Sequence, residues 1–486
     1  MNEKKIMLKI FDLQNILLFI SILGFCYILK YVYHMIHFAY FGPLSKIPGP
    51  KLHFLLKGLT SWKQKNGMRW KWIQYEIFPK YGPIVRIAPN AILFADKDII
   101  KQILVTNEFP KNRKYESMRL SSVTLLTATD IQWHKQRRKL LSSAFSIKYL
   151  DSLEPLIQSV IKSLIKKINV TLDVDSNDSN GTVINLSKMI HECTMDIVGE
   201  TAFGCSFKMI ENGDLPLIRK IFEERRRRSL ISLFPILKPF KPADPYIENF
   251  ARDLLKNRRQ NIRREDLLQI MLDTQQDEGG MSDNEIYNQI IEFIFAGSDT
   301  SSFTITMLFA MLMENPTIEK KLVNELDEAL KDEELSHIKL KPLTYLNCVI
   351  NEVLRLHPIS HDVGPGKVTT KDMVLGGYFI PKKTILCANI FQLHHSAKYW
   401  GDDVNEFIPE RWLNPDKIPK DCFIPFSAGT RNCIGNNFAL MVIRLLTSTL
   451  LKMYRFEYIS GQDMDVVQFL TPNFKTKRYD IRIWKR

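Results

Sequence analysis

The sequence predicts a mainly α-helical fold with a small β-rich part, and three observations indicate it. Helical periodicity dominates the chain after residue 65. A long helix opens at Ser282, where Ser282 and Glu285 form a capping box, and it meets no proline before Pro316. Short apolar runs interrupted by turn residues lie at 84–94 and 373–387. The 486 residues suffice for one large single-cofactor enzyme or for two or three ordinary domains.

Composition limits the classes of partner. Lys and Arg total 67 against 53 Asp and Glu, which gives a formal net charge of +14. Because the chain has no zinc-finger spacing, RNA-binding signature or basic zipper, nucleic acid explains this charge poorly. Anionic membrane surfaces and acidic proteins explain it better. The seven cysteines form no CxxC pair, which argues against a disulfide framework and structural zinc and favours a reducing compartment.

Residues 1–40 are predicted to form a single N-terminal membrane anchor. The stretch 10–29 is mostly apolar and is bounded by Lys9 and Lys30, and the tyrosines that follow suit a membrane interface. No small-x-small cleavage site follows, which argues against a signal peptide. The two flanks carry similar charges, so the positive-inside rule leaves the orientation open. The reduced cysteines favour a cytosolic body.

Residues 41–52 are predicted to form a proline-rich hinge between this anchor and a body at 53–486. Proline fixes φ and stiffens a linker, so the segment reads as a spacer or as an irregular loop. The residues responsible are Pro43, Pro48, Gly49 and Pro50.

Two β-rich patches are predicted in the body. The first is a hairpin that turns at Pro89-Asn90. The second turns at Gly376-Gly377 and at Pro381. The strand segments are Ile84–Ile87, Ala91–Phe94, Met373–Leu375, Tyr378–Ile380 and Thr384–Cys387.

The middle of the long helix breaks local rules. It reads Ala296-Gly297-Ser298-Asp299-Thr300, and the segment that follows is apolar on most faces. Glycine in a helix interior costs about 1 kcal/mol relative to alanine. A buried Asp adds a desolvation cost. Such violations usually mark functional sites, and the alternative is a polar kink filled by water.

Two further motifs contain charged residues at helical spacing. Glu352 and Arg355 lie three residues apart among apolar neighbours, and Arg411 in Pro-Glu-Arg-Trp could join them. Trp133 and Arg137 lie one turn apart, on one face of a helix. Taken alone, the first pattern is weak evidence, and the second fits an amphipathic basic helix equally well.

A cysteine near the C-terminus sits in the run from Phe426 to Gly435. Cys433 can supply a thiolate to a haem iron. Gly429 and Gly435 allow close backbone approach or positive φ, Arg431 can pair with a propionate, and Phe426 can shield the sulfur from water. The alternative is a buried structural cysteine in an ordinary loop.

In their order and spacing these motifs resemble the cytochrome P-450 family, over roughly residues 40 to 486. The segment 81–90 is similar to fungal microsomal members. The resemblance implies the cytochrome P-450 fold and one haem b held by Cys433. Thr300 is expected to hydrogen-bond dioxygen and its waters, and Asp299 to gate proton delivery. Cofactor-binding residues are expected at Trp133, Arg137, Lys367, Phe426, Gly429, Arg431 and Gly435, and a structural triad at Glu352, Arg355 and Arg411.

Lys367 occupies a place where many members of the family have Arg or His. A lysine is a point charge and makes no bidentate contact, so its contact with a propionate is the weakest of these expectations.

The function implied by this resemblance is monooxygenation of a hydrophobic small molecule in the endoplasmic reticulum membrane. Domain 53–486 would face the cytosol and take electrons from an NADPH-cytochrome P-450 reductase, with a cytochrome b-type protein as an alternative donor. An acidic reductase would dock on a basic face. The candidate contacts are Arg137, Arg138, Lys139, Lys420 and Arg444.

Two other functions stay open from the sequence. A haem-thiolate isomerase or dehydratase would rearrange oxygenated lipids without dioxygen, and it would not need Asp299 and Thr300 for a proton relay. A non-catalytic membrane haem carrier would have no use for the Gly-Asp-Thr segment either. Dependence of product on NADPH and dioxygen separates the first alternative from a monooxygenase, and substitution of Thr300 separates the second.

Overall fold

The computed structural model describes residues 2–51, 66–174, 181–213, 244–260, 263–331 and 335–486, with a few more between 216 and 227. Side chains are described from Asn15 onward, except Leu17. About 60% of the chain is helix and 10% strand, so the predicted mainly helical fold is confirmed.

The α-helices carry most of the buried apolar surface. The largest core lies between α8, α9, α13, α14, α16 and α19 and the sheet that contains β8 and β11. The described α-helices are α1 (Asn2–Tyr40), α2 (Arg69–Lys71), α3 (Phe78–Tyr81), α4 (Lys97–Lys101), α5 (Lys114–Ser117), α6 (Ile131–Leu141), α7 (Ile147–Ser152), α8 (Glu154–Val174), α9 (Leu186–Val198), α10 (Met209–Asn212), α11 (Pro245–Gln260), α12 (Leu267–Asp273), α13 (Asp283–Glu314), α14 (Pro316–Leu330), α15 (His337–Leu340), α16 (Thr344–Leu356), α17 (Ile390–His394), α18 (Ala397–Trp400) and α19 (Asn436–Met453).

The strands form small sheets around this helical body. One sheet has the order β1-β2-β7-β4, another β3-β11-β8, and β5-β6 and β9-β10 are two-stranded. Both predicted patches are present, although the last strand begins one residue later than expected. The strands are β1 (Ile84–Ala88), β2 (Ala91–Phe94), β3 (Thr182–Asn185), β4 (Gly366–Val368), β5 (Met373–Leu375), β6 (Tyr378–Ile380), β7 (Ile385–Ala388), β8 (Tyr454–Tyr458), β9 (Val466–Gln468), β10 (Pro472–Phe474) and β11 (Asp480–Lys485).

Helix α13 forms the centre of the body. It begins with the predicted capping box, in which the Glu285 N–H donates to the Ser282 hydroxyl at 3.3 Å and the Ser282 N–H to the Glu285 carboxylate at 2.8 Å. It ends where Pro316 opens α14, as the sequence predicted. Its 32 residues contact α9, α11, α16 and α19, and α19 begins just after Cys433, so one helix packs against much of the body.

The N-terminal helix α1 joins the body through a buried arginine. Its last 23 residues, Leu18–Tyr40, are long and apolar enough to cross a membrane. The Arg86 guanidinium donates to the carbonyl oxygens of Phe38 at 2.8 Å and of Ala39 at 3.4 Å, at the negative end of the helix dipole. In the hinge that follows, Leu44 and Ile47 are buried in a core with β2, so this segment packs on the body rather than acting as a free spacer.

Candidate active site

Cys433 lies in a tight loop just before α19. The Cys433 N–H donates to the Phe426 carbonyl at 2.9 Å, and Phe426 packs half-buried against the main core. Gly429 has a φ of +73°, and a Cβ on it would lie 2.0 Å from the Leu104 carbonyl oxygen. Only glycine fits there, because both the backbone conformation and the space exclude a side chain. The packing of the protein itself therefore requires glycine at position 429, without any contribution from a cofactor.

Gly435 differs from Gly429. A Cβ on Gly435 would lie 3.9 Å from the Phe145 ring, an ordinary van der Waals contact, so packing within the protein does not demand glycine. Burial raises the pKa of the neighbouring Cys433 thiol, while the Gly435 N–H and Arg138 oppose that rise. A hydrogen-bond donor and a cation beside the sulfur favour the thiolate, which is the form that binds iron.

The middle of α13 approaches this loop. Phe145, which lies next to Gly435, has its ring 5.9 Å from that of Phe293 on α13. One turn further along, Ala296 is exposed although Phe295 before it is buried. Cys433 is also accessible to solvent, although the protein atoms that surround its sulfur raise the pKa of the thiol. Accessible positions within two otherwise packed elements are expected where both elements border one site.

The Ala-Gly-Ser-Asp-Thr segment is helical throughout. The Thr300 hydroxyl donates to the Ala296 carbonyl at 2.8 Å, and the Thr304 hydroxyl donates to the Thr300 carbonyl at 3.0 Å. A Cβ on Gly297 would lie 2.9 Å from Val198 Cγ2 on α9. The glycine is therefore explained by the close crossing of α9, which the sequence did not reveal.

Asp299 points toward α9 and the β9–β10 turn. One carboxylate oxygen lies 3.5 Å from His191 Nδ1, and the other accepts from the Thr471 hydroxyl at 3.4 Å. The His191 side chain is 29% exposed and that of Asp299 is 11% exposed. A titratable side chain with access to solvent thus contacts the acid next to Thr300.

Basic side chains gather beside the cysteine loop. The backbones of Lys111 and Lys367 pair in an isolated β-bridge, and Lys367 is buried. The Arg431 guanidinium donates to the carbonyl oxygens of Ala128 and Asp130, each at 3.0 Å, and so ties the cysteine loop to the start of α6.

These cations repel one another in a buried environment. Burial, with help from Arg431 and Lys367, lowers the pKa of Lys111 to about 7, and Glu292 opposes that shift. Burial and then Arg431 lower the pKa of Lys367 to about 8. Burial and these cations also lower the pKa of His134 to about 3. Buried charges of one sign need an anionic partner, and the two propionates of a haem would supply it, so the cluster fits that cofactor.

Arg137 does not join this cluster. Its guanidinium donates to the Gly279 carbonyl at 2.6 Å and to Glu285 at 3.0 Å, and it lies 5.3 Å from the centre of the half-buried Trp133 ring. Arg138 instead donates to the Asn432 carbonyl and side-chain oxygen, each at 2.7 Å. The structure therefore favours Arg138 over Arg137 as the arginine of α6 that serves the cysteine loop.

Glu352, Arg355 and Arg411 come together in one group. Arg355 makes two hydrogen bonds to Glu352, at 2.7 and 2.8 Å, with both side chains fully buried. Arg411 Nε lies 3.4 Å from the same carboxylate, and the Trp412 indole donates to it at 2.9 Å. Arg411 also donates to the Asp403 carboxylate at 3.0 Å, so the two arginines face two carboxylates and make further hydrogen bonds, which a buried ion pair requires.

Comparisons with known proteins agree with this geometry. The family model for cytochrome P-450 matches residues 47–481. The chain belongs to the cytochrome P-450 family. It is 32% identical over 464 residues to cytochrome P-450 monooxygenase LUC2 of Fusarium sp, covering 92% of this chain and 90% of that protein. It is 30% identical over 461 residues to cytochrome P-450 3A18 of Rattus norvegicus, covering 88% and 90%.

Membership identifies the protein as an oxidoreductase of the monooxygenase type and implies a haem cofactor. The site contains three residues that the sequence did not single out for these roles: Lys111, Arg138 and His191. Lys111 and His191 lie far in sequence from their partners, so no local pattern could have found them. Arg138 directly follows Arg137, the arginine of the Trp-x-x-x-Arg motif. The direction of the Arg138 side chain depends on how α6 is rotated, which the sequence does not show.

Proposed function

We propose that this protein is a membrane-anchored haem-thiolate monooxygenase that inserts one oxygen atom of dioxygen into a hydrophobic small molecule. The observation that carries the proposal is the accessible Cys433 beside a cluster of cations in which burial and repulsion lower the pKa values of Lys111 and Lys367 although Glu292 and Glu108 oppose those shifts. Haem b carries an iron that binds a thiolate and two carboxylates that pair with cations. One cofactor therefore fits both Cys433 and the cation cluster.

The residues around the cofactor have distinct tasks. Cys433 would bind the iron, while Lys111, Lys367 and Arg431 would hold the propionates. When bound, the haem supplies the activation of dioxygen, which thiolate ligation promotes. The Gly435 N–H and Arg138 stabilise the negative sulfur.

Protons would enter from α9 and α13. Asp299 contacts the partly exposed His191 and so has a route for proton exchange with solvent. The Thr300 hydroxyl lies next in the chain at an accessible stretch of α13. It donates to the Ala296 carbonyl, and rotation away from that acceptor would let it donate to water in the site. This arrangement supports oxygen chemistry over a rearrangement that needs no protons.

The surroundings fit an enzyme of the endoplasmic reticulum membrane. Helix α1 would cross the bilayer with the body in the cytosol, where an NADPH-cytochrome P-450 reductase could reach it, with a cytochrome b-type protein as a second donor. Among the docking candidates, Lys139 and Lys420 are exposed. Arg137 is bound to Glu285 and Arg444 to Asn347, so the exposed lysines are the better contacts.

The test is turnover with the reductase, NADPH and a panel of neutral hydrophobic compounds, for the parent and for Thr300→Ala. Product must depend on both NADPH and dioxygen. In Thr300→Ala, product per NADPH should fall several-fold while peroxide rises, because proton delivery is impaired. Thr304→Ala is the matched control, since its hydroxyl bonds in the same way one turn later. Product that forms without NADPH or dioxygen would instead establish the isomerase alternative.

A further inference from the structure

His394 connects the buried triad to the cysteine loop, residues 422–435, which contains Cys433. It is the last residue of α17 and is fully buried. The Arg355 guanidinium donates to the His394 carbonyl at 3.0 Å. One ring nitrogen, Nδ1, lies 3.2 Å from the Arg355 carbonyl oxygen, and the other, Nε2, lies 3.0 Å from the Ile424 backbone nitrogen. The imidazole therefore lies between α16 and the loop and contacts both.

These contacts define the tautomer of the His394 ring. The Ile424 N–H can only donate, so Nε2 accepts, and the ring proton lies on Nδ1, which donates to the Arg355 carbonyl. Burial, followed by His395 and Arg355, lowers the pKa of His394 to about 3, so the ring is neutral at physiological pH. A protonated ring would carry hydrogen on Nε2 as well and could not accept from the loop.

Two side chains from other elements hold the backbone of the cysteine loop, within the part of the chain that the structure describes. Arg138 donates to the carbonyl of Asn432, the residue before Cys433, at 2.7 Å. His394 accepts from the N–H of Ile424, nine residues before Cys433. The two contacts hold opposite ends of the loop, so the first half depends on His394 and the second half on Arg138.

The path from Ile424 to the cysteine is short and consists of hydrogen bonds. The Ile424 carbonyl accepts from the Ser427 N–H at 2.9 Å, and Ser427 has a φ of +64°. The Phe426 carbonyl, next to it, accepts from the Cys433 N–H at 2.9 Å. Positive φ is unfavourable for a serine, so this turn persists only where its surroundings hold it. A shift of Ile424 would therefore move the carbonyl that holds Cys433.

Aromatic packing joins the same partners in a second way. The centre of the Phe423 ring lies 5.5 Å from that of His394 and 4.4 Å from that of Trp412, whose indole donates to Glu352. Ring packing of this kind allows a range of offsets. The hydrogen bond from Ile424 depends on distance and direction, so it restricts the position of the loop more closely.

We propose that His394 is a positioning residue for the cysteine ligand, and that its bond from the Ile424 N–H keeps the Cys433 sulfur where it can bind the haem iron as a thiolate. His394 acts through the loop. The inference rests on the proposed function, because it takes Cys433 as the ligand of a haem iron. Groups that orient a metal ligand affect the metal bond although they do not touch the metal.

Two substitutions of His394 separate its two hydrogen bonds. In His394→Asn the amide nitrogen lies near the former Nδ1 and can still donate to the Arg355 carbonyl, but the side chain is too short to reach Ile424. In His394→Gln the amide oxygen reaches the former position of Nε2 and accepts from the Ile424 N–H. His395→Asn is the matched control, since the His395 ring stacks on that of Phe391 with centres 3.9 Å apart.

The first readout is the carbon-monoxide difference spectrum of the reduced, haem-loaded, full-length protein. The parent, His394→Gln and His395→Asn should show the red-shifted band of thiolate ligation. In His394→Asn at least half of this band should convert to a band without the red shift, because the loop no longer holds the sulfur in place. A merely structural role would destabilise the Asn and Gln variants alike and would leave the spectrum of the folded protein unchanged.

The second readout is amide hydrogen exchange of the haem-free protein, followed in peptides that cover residues 422–427. One amide should exchange at least tenfold faster in His394→Asn than in the parent or in His394→Gln, because the Ile424 N–H has lost its acceptor. This comparison decides if His394→Asn loads no haem. Equal exchange in the two His394 variants would overturn the proposal.

The variant that keeps the bond gives the sharpest contradiction. Failure of His394→Gln to load haem, or loss of its thiolate band to the same extent as in His394→Asn, would overturn the proposal. A parent that itself lacks the thiolate band would contradict the proposed function. A parent with that band, beside a His394→Asn variant that keeps it in full, would contradict only this inference.

Discussion

Two buried groups of charges differ in balance. In the triad of Glu352, Arg355 and Arg411, the two arginines share the Glu352 carboxylate, and Asp403 supplies Arg411 with a second carboxylate. In the cluster that contains Lys111 and Lys367, burial and mutual repulsion lower the pKa values to about 7 and about 8. A balanced group needs no further partner, while an unbalanced one is suited to a ligand of opposite charge. From this contrast we expect the triad to hold the structure and the cluster to hold the cofactor.

The largest expected effect comes from unbalancing the triad. Glu352→Ala leaves the Arg355 guanidinium buried without its carboxylate, so the free energy of unfolding should fall by about 3–5 kcal/mol. Denaturant unfolding of the purified protein measures it. Lys475→Ala, which breaks an exposed pair with Asp463, is the control and should cost less than about 1 kcal/mol. Similar losses for both variants would show that burial does not matter here.

Gly429 and Gly435 in the cysteine loop allow the same comparison between a residue that the fold requires and a residue that the cofactor requires. Gly429→Ala forces a Cβ onto the Leu104 carbonyl at positive φ and should destabilise the protein by about 2–5 kcal/mol. Gly435→Ala meets only Phe145 at 3.9 Å and should leave the haem-free protein nearly as stable as the parent. It should instead weaken haem retention, measured as the rate of haem transfer to an excess of a haem-scavenging apoprotein. Equal destabilisation by both substitutions would contradict this distinction.

Balancing the cluster should act in the opposite direction from unbalancing the triad. Lys111→Met removes a buried cation, so the haem-free protein should gain roughly 1–4 kcal/mol of unfolding free energy at pH 7. The same variant should release haem at least tenfold faster, because a propionate loses its partner. Loss of stability together with unchanged haem release would reassign Lys111 to the structural group.

The pH dependence of stability gives the smallest expected effect per step of one pH unit. The pKa of Lys111 is lowered from 10.5 to about 7 in the folded protein, so between those values the unfolded chain binds more protons than the folded one. Stability of the haem-free protein should therefore rise with pH from about 7 to 10, by up to about 1.4 kcal/mol per pH unit for this lysine. Haem should flatten that rise, since the propionates keep the lysine protonated. Denaturation at pH 7, 8 and 9, with and without haem, measures both slopes. A fall in the stability of the haem-free protein over this range would contradict the prediction.

The sequence predicted the parts of the fold that local chemistry decides. The ends of α13 follow from the Ser282–Glu285 capping box and from Pro316. The hairpins follow from turn residues such as Gly376-Gly377, both of which have positive φ. These features depend on residues close together in the chain, so a pattern is sufficient to find them.

Other parts of the site depend on contacts between distant segments. Gly297 is needed because α9 passes over it at Val198, and nothing near residue 297 encodes that crossing. Arg137 and Arg138 are adjacent, but about 100° of helix rotation separates them, so the choice between them requires the packing of α6. Lys111 meets Lys367 only through a β-bridge between segments more than two hundred residues apart in sequence. The periodicity of apolar residues and the spacing of motifs along the chain do not predict such long-range pairings.

The carbon-monoxide difference spectrum of the reduced protein tests the central claim most directly. With Cys433 as the iron ligand, the Soret band should show the red shift that thiolate ligation produces, and Cys433→Ser should lose it. Cys205→Ser, which changes a half-buried cysteine elsewhere, should keep it. A histidine-type spectrum that Cys433→Ser leaves unchanged would contradict the account.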